Sequence, residues 1–560
     1  MHLHFLKKHK WIFLIFLLAL FLRTWKLAGL PDGFHVDEVK AGWNAYSILK
    51  TGADDWGHKF PLYYNSFGDF RPTGYFYLTI PSILIFGLNE FAVRFPGALF
   101  GALTVISMYF LVRELAPRKK LDIGNWTLEI FSALLLALSP WHISLSRATS
   151  EGIVALFFAL TGLWLLVRQL NNKKPPALLP FLLTLLFLLS SYFLYHSARL
   201  LIPMFVFITI AFFWWNSRPR PTLRDLPKLH FKLPLVLLFS VSLVTLLFAL
   251  DPAARGRFNQ VSIFKDLDVA YELDKMPFEE GPNRVFVARL FHNKPSVYAR
   301  RFVNEYTQYI SAKFFLVPKE AKPTRYMTSG MGVLTYVEFF LLLAGLVAIA
   351  QHKPYASILV LGLVLISPLP AAVTTEDAPN MHRALFMIPF LSIIEAYGLY
   401  WFANSRHRTL SLSLSFALLS VNFIFFLHQY FIHNPVGGTL SRNAGAKELA
   451  LKINSLQGNY DKIYFTEIPD SPYPWLAFFG KYDPATFTQS ANKRDKGVWG
   501  FQNFTFTSQR CPSRDVFALE ERILAVDADA CETSSPPAGA TLLGQIKRPD
   551  GTVVYTLWSR

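Results

Sequence analysis

Apolar residues in this chain fall in long unbroken runs rather than short alternations. Runs over 11–28, 92–112, 128–146, 151–167, 177–194, 199–215, 233–250, 332–350, 354–371, 384–402 and 409–428 approach the ~20 residues that a helix needs to cross a bilayer. They predict eleven membrane-spanning helices. A further stretch, 73–88, is shorter, contains Pro81 and ends at Asn89-Glu90 just ahead of the next run, so it is predicted to lie on or dip into one membrane face. The first run follows Lys7, Lys8 and Lys10 but leads into no small-x-small cleavage site, and reads as a retained helix rather than a signal peptide. Beyond residue 430 the pattern changes. AKELALKINSL (446–456) has a helical period, while DKIYFTEI (461–468), RILAVDAD (522–529) and TLLGQIKRPDGTVVYTLW (541–558) read as strands, the last a hairpin turning at Pro-Asp-Gly. The predicted fold is an α-helical polytopic membrane module over 1–430, with a C-terminal soluble α/β domain over 431–560.

Charge gives this arrangement a direction. The 560 residues are 52% apolar and only 17% charged, with a net charge of +17. In a soluble protein that excess would point to nucleic acid. Here it sits in alternate loops. With 73–88 not crossing and the N-terminus cytoplasmic, the inner loops 1–10, 113–127, 168–176, 216–232, 351–353 and 403–408 hold 18 basic and three acidic residues, whereas the short outer loops hold three basic ones. The positive-inside rule therefore predicts an integral plasma (inner) membrane protein, multi-pass, with no nucleic-acid partner. Segments 29–91 and 251–331 and the C-terminal domain would be extracytoplasmic. The two cysteines, Cys511 and Cys531, exclude a cysteine-rich zinc module; a disulfide or two free thiols both fit.

Candidate chemistry gathers at the predicted outer turns. Asp37-Glu38 follows the first span within about ten residues, in PDGFHVDE, where partial desolvation raises a carboxyl toward the range of a general base. The same pair also suits the first turn of a helix. GDFRPTGY (68–75) supplies Asp69 and Arg71, and a guanidinium at that depth grips phosphate or simply snorkels. Further turns supply Arg147 and Glu151, then Tyr195, His196 and Arg199, then His382 and Arg383. Charged groups there tend to face a bundle interior or cavity. No Walker loop, dinucleotide fingerprint, HExxH or GxSxG is present.

At these residues the chain resembles the GT-C superfamily of membrane glycosyltransferases, in its protein O-mannosyltransferase and aminoarabinose-transferase-like branch. The likeness covers roughly 1–430. It rests on PDGFHVDE after the first span, the Arg-Pro of GDFRPTGYFY, LNEFAVRFP (88–96), and LSPWH (138–142) followed by Glu151. It implies a polyprenyl-phosphate sugar as donor and an acceptor hydroxyl on a protein, glycolipid or polysaccharide. Asp37, with Glu38 beside it, would be the catalytic carboxylate. Arg71 would contact the lipid phosphate, joined by Arg147, Arg199, His382 and Arg383, with Asp69, Glu151, Tyr195 and His196 as further site candidates. Asp69 stands two residues before the arginine and Glu151 stands where Asp is common, so no metal ligand is assigned and a divalent ion stays open as a cofactor. The competing class is a transporter or flippase of a lipid-linked sugar, which should show internal repeats and broken midplane helices. A third class, a transferase of other lipid headgroups, wants a metal cluster and nucleophile that 431–560 lacks.

Overall fold

The computed structural model describes residues 10–66, 69–116, 127–172, 177–217, 229–252, 261–265, 267–281, 285–317, 326–375, 378–438, 440–494, 497–516, 522–529, 531 and 539–560. Most basic residues of the predicted inner loops lie outside these ranges. Every predicted span coincides with helix. Helices Glu90–Leu115, Glu151–Asn171, His196–Asn216, Lys232–Leu250, Leu385–Ala403 and Arg408–Gly437 are long and apolar enough to cross a membrane. A seventh arises if the pair Leu128–Leu138 and Pro140–Arg147, bent by 53°, counts as one. Leu178–Tyr192, Tyr336–His352 and Ser357–Ala372 are apolar but shorter, so among the described residues the length test reaches six or seven helices rather than eleven. The doubtful segment forms the 13-residue helix Gly74–Phe86. At 1.5 Å per residue it spans about 20 Å, short of the ~30 Å apolar core of a bilayer.

The 53° bend lies in the LSPWH motif. Ser139 breaks the helix and caps the next one through the His142 amide, and Pro140 opens the new helix where its missing N–H costs nothing. Trp141, thereby redirected, donates from Nε1 to the Met381 carbonyl at 3.0 Å. His142 Nδ1 sits 2.7 Å from the guanidinium of Arg23, which also donates to the Ala137 carbonyl at 3.1 Å. The first span is thus tied to the bend.

The loops after the first span and after Leu250 meet the C-terminal chain or the 374–383 turn at one end of the bundle. In the first loop, helix Val36–Thr51 (the loop helix) is followed by a hairpin of β1 (Tyr63–Ser66) and β2 (Asp69–Pro72). The C-terminal α/β domain is built on a seven-stranded sheet. Its strands are β3 (Lys462–Thr466), β4 (Asn492–Arg494), β5 (Gly497–Phe501), β6 (Phe504–Thr507), β7 (Ile523–Ala528), β8 (Thr541–Lys547) and β9 (Val553–Ser559), in the order β4-β5-β6-β3-β7-β9-β8. β3 runs parallel to both β6 and β7, and the outer pairings are antiparallel. Every residue of β7 is buried, as expected of a central strand covered on both faces.

Cys511 and Cys531 form a disulfide across a sequence separation of 20. Closing a loop of that length removes about 3 kcal/mol of unfolded-state freedom. Replacing both cysteines by serine should lower the melting temperature of this domain, read by differential scanning fluorimetry with and without reductant. A reductant-insensitive melt of the wild type would contradict the assignment.

Candidate active site

Asp37 and Glu38 are adjacent in sequence and opposite in environment. The loop helix is capped by His35, whose ring accepts the Asp37 amide at 3.1 Å while the Glu38 carboxylate accepts the His35 amide at 3.2 Å. Consecutive residues at a helix start point about 100° apart, so one carboxylate faces outward and the other inward. Asp37 is partly open, and its Oδ1 lies 2.6 Å from Arg71 Nη1. Arg71 reaches it because β2 pairs with β1 in a register that sets Arg71 opposite Tyr64. Asp69 lies on the same strand, opposite Ser66; its side chain falls outside the described residues.

Glu38 is 2% exposed and fully engaged. Oε1 accepts from Arg94 Nε at 3.0 Å and from the Thr149 amide and hydroxyl at 3.1 and 3.2 Å. Oε2 accepts from Arg442 Nη2 at 2.6 Å and Arg94 Nη2 at 3.2 Å. Burial alone would push this carboxyl up, but the two guanidiniums outweigh it and hold it well below the ordinary 4.5. A carboxylate so held ties the loop helix to Arg94, Thr149 and Arg442, whereas Asp37 is partly open.

The other sequence candidates divide. Thr149 leads directly to Ser150, whose hydroxyl meets His382 Nε2 at 2.9 Å, and His382 stacks on Tyr326 while Tyr195 donates to its carbonyl at 3.2 Å. Gly152 lies against it, where a Cβ would come within 2.9 Å of His382 Nε2. Glu151 starts the next helix, and Arg383 donates to the Thr374 hydroxyl at 2.7 Å. Residues 376 and 377 of that turn lie outside the described residues. Arg199 stacks over Tyr63 and Phe248, and its Nη1 lies 3.0 Å from His196 Nδ1, so both flank the hairpin that carries Arg71. Arg147 is placed differently. It is fully buried, donates to the carbonyls of Leu22, Trp25 and Leu30, and stacks on Tyr430 and Phe431. Its guanidinium thus holds the end of the first span, apart from the Asp37–Arg71 pair. Among the described residues no group of three or more His, Cys, Asp or Glu is arranged to hold a metal ion.

Several site residues escaped the sequence reading. Arg94 lies in the LNEFAVRFP stretch, which carries part of the resemblance but gives that arginine no role. Arg442 and Thr149 carry no local signal. Lys40, one turn after Asp37, is buried; burial pulls its ammonium down to about 8, against the charges of Asp37, Asp55 and Asp470 and with that of Arg71. Asp55, 1% exposed, accepts the Tyr473 hydroxyl at 3.2 Å, where the C-terminal domain meets the loop.

Burial, with Asp54 adding, pushes the Asp55 carboxyl up from 3.8 to about 6. A raised carboxyl disfavours the folded contact once ionised. The contact is therefore strongest below about pH 4 and loses on the order of 2–3 kcal/mol as pH rises through about 6. Asp55→Asn should flatten the melting temperature between pH 5 and 7.5; a variant keeping the wild-type slope would remove Asp55 as its origin.

Parts of the chain are similar to known proteins. The family model for dolichyl-phosphate-mannose-protein mannosyltransferases matches residues 71–246, beginning at Arg71. An uncharacterised protein of Aquifex aeolicus is 27% identical over 143 residues, 26% of this chain and 25% of that one. The oligosaccharyltransferase of Archaeoglobus fulgidus, tethered to an acceptor peptide, superposes with a TM-score of 0.50 at 12% identity, covering 85% of this chain and 63% of that one. ArnT of Cupriavidus metallidurans, bound to undecaprenyl phosphate, gives 0.49 at 13% identity over 98% of both chains. The chain thus spans a quarter of the curated relative and under two thirds of the oligosaccharyltransferase. The segment 71–246 is thus similar to dolichyl-phosphate-mannose-protein mannosyltransferases, and the chain shares the fold of the Archaeoglobus fulgidus oligosaccharyltransferase.

Proposed function

We propose that the protein is an inverting glycosyltransferase that moves a sugar from a polyprenyl-phosphate donor to an acceptor hydroxyl at the extracytoplasmic membrane face. The observation that carries this reading is the Asp37–Arg71 pair, a carboxylate and a guanidinium 2.6 Å apart, both part-exposed, set on a turn that Glu38 fixes from below. Asp37 takes the proton of the acceptor hydroxyl. The freed oxygen attacks the anomeric carbon from the face opposite the phosphate, and the bond between that carbon and the phosphate oxygen breaks. Negative charge moves from Asp37 to the leaving phosphate, and Arg71 stands beside both positions to follow it. Its planar fork suits phosphate oxygens as well as a carboxylate. Arg199 and His196 flank the same hairpin, and His382 is tied to Ser150, next to the Thr149 that holds Glu38. The dolichyl-phosphate-mannose donor in the matched family's description supports a lipid-linked sugar. The basic inner loops and the Cys511–Cys531 disulfide support the orientation.

The test is transfer by the purified full chain from a panel of radiolabelled polyprenyl-phosphate sugars, with the product's identity and anomeric configuration determined. Label in a product with inverted configuration is expected. No product above an Asp37→Asn background for any donor would overturn the reading.

A further inference from the structure

The turn that presents Asp37 is gripped from two directions, and only one grip comes from the bundle. On the bundle side Arg94 and Thr149 hold Glu38, and Val93 packs against Gly42 so closely that a Cβ there would lie 2.6 Å from it. The other grip comes from the chain after the last span. Arg442 is 2% exposed; besides its bond to Glu38 it donates from Nε to the Asp32 carbonyl at 2.9 Å. Asn443 accepts the Val36 amide on Oδ1 at 3.1 Å, and its own Nδ2 is anchored on Asp470 at 2.7 Å. Trp475 Nε1 donates to the Phe34 carbonyl at 2.7 Å. Gly33 has φ +75°, and a Cβ on it would meet the Arg442 carbonyl oxygen at 2.5 Å.

These contacts fall on residues 32–38, the turn into the loop helix. The first N–H groups of a helix lack partners within it. His35 satisfies that of Asp37, but that of Val36 is satisfied by Asn443, across a separation of 407 residues. The start of the helix is therefore completed by another part of the chain.

We infer that Arg442 and Asn443 are positioning residues for the proposed transfer, and that the C-terminal segment forms the outer half of the socket that aims Asp37 at Arg71. The kinetic consequence rests on the transferase reading; the structural one does not. Removing Arg442 leaves Glu38 its bonds to Arg94 and Thr149, so an Arg442→Gln chain still folds while the turn loosens. A misplacement of about 1 Å at a reacting group costs roughly 100-fold in rate.

The experiment compares full-length wild type, Arg442→Gln, Arg442→Lys and Asn443→Ala in nanodiscs. Hydrogen–deuterium exchange in Arg442→Gln is expected to rise about tenfold in peptides covering 32–40 and to stay at the wild-type level in β3 and β7. With mannosyl-phospho-undecaprenol as donor, kcat should fall roughly 10- to 100-fold while the donor KM stays within about threefold. Asn443→Ala should show the same signature more weakly. Arg442→Lys should recover part of the rate, since an ammonium reaches Glu38 but not the Asp32 carbonyl as well. Unchanged exchange at 32–40, exchange raised equally throughout the sheet, or a loss confined to KM would each overturn the inference. If the wild type transfers sugar from none of the polyprenyl-phosphate donors of the panel, the transferase reading fails on that result and the exchange arm alone decides the positioning role.

Discussion

Asp37→Asn should lower kcat for sugar transfer by about 10²- to 10⁴-fold, the usual worth of a positioned general base. Asparagine keeps the size of the side chain, and the turn keeps its other anchors, because Glu38, Arg94 and Arg442 hold it without help from Asp37. What is lost is the capacity to take a proton. The ion pair to Arg71 is part-exposed, so its loss costs little stability. Melting temperature and elution profile should match the wild type while initial rates at saturating donor collapse. A variant retaining a tenth or more of the wild-type kcat would remove Asp37 from the chemistry.

Glu38→Ala should have its largest effect on the fold. It leaves the guanidiniums of Arg94 and Arg442 buried without their carboxylate, and breaking such a buried pair from one side costs about 3–5 kcal/mol. Several degrees of melting temperature should be lost, with a lower yield of monodisperse protein in detergent. Glu38→Gln should fall between, since an amide oxygen still accepts from Thr149. The pH dependence has the opposite sign to that of Asp55. Because the folded carboxyl is held below the ordinary 4.5, its contribution is complete above that pH and is lost on acidification. A Glu38→Ala chain that melts with the wild type would show that the two arginines are neutralised by something else.

Much of the bundle was legible in the sequence because its signal is redundant. Each span is a run of apolar residues, but 128–146 read as one span and its bend at Ser139-Pro140 was not foreseen. The strands β3, β7, β8 and β9 show in alternation or in unbroken apolar character. β4, β5 and β6 do not, being three to five residues long and rich in polar or glycine positions, such as NKR and FTFT. At the site, the residue types of Asp37 and Arg71 were legible, but their contact depends on the register of a hairpin. The division of labour between Asp37 and Glu38 was not, because it is set by which side of one helical turn meets the bundle. Arg147 shows the limit of reading charge at turns. An arginine beside a membrane surface serves a phosphate or a set of backbone carbonyls equally well, and only its surroundings decide.

The bond between Glu38 and Arg442 joins residues 404 apart. At the usual pace of synthesis, about 5–20 residues per second, Glu38 is made roughly 20 to 80 s before its partner exists. During that interval the turn at 32–38 is acidic and lacks half its counter-charge. The turn that bears Asp37 is therefore unfinished in a nascent chain until the helix Arg408–Gly437 and the residues beyond it have followed, so a truncated or stalled product would carry the sequence of that turn without its shape.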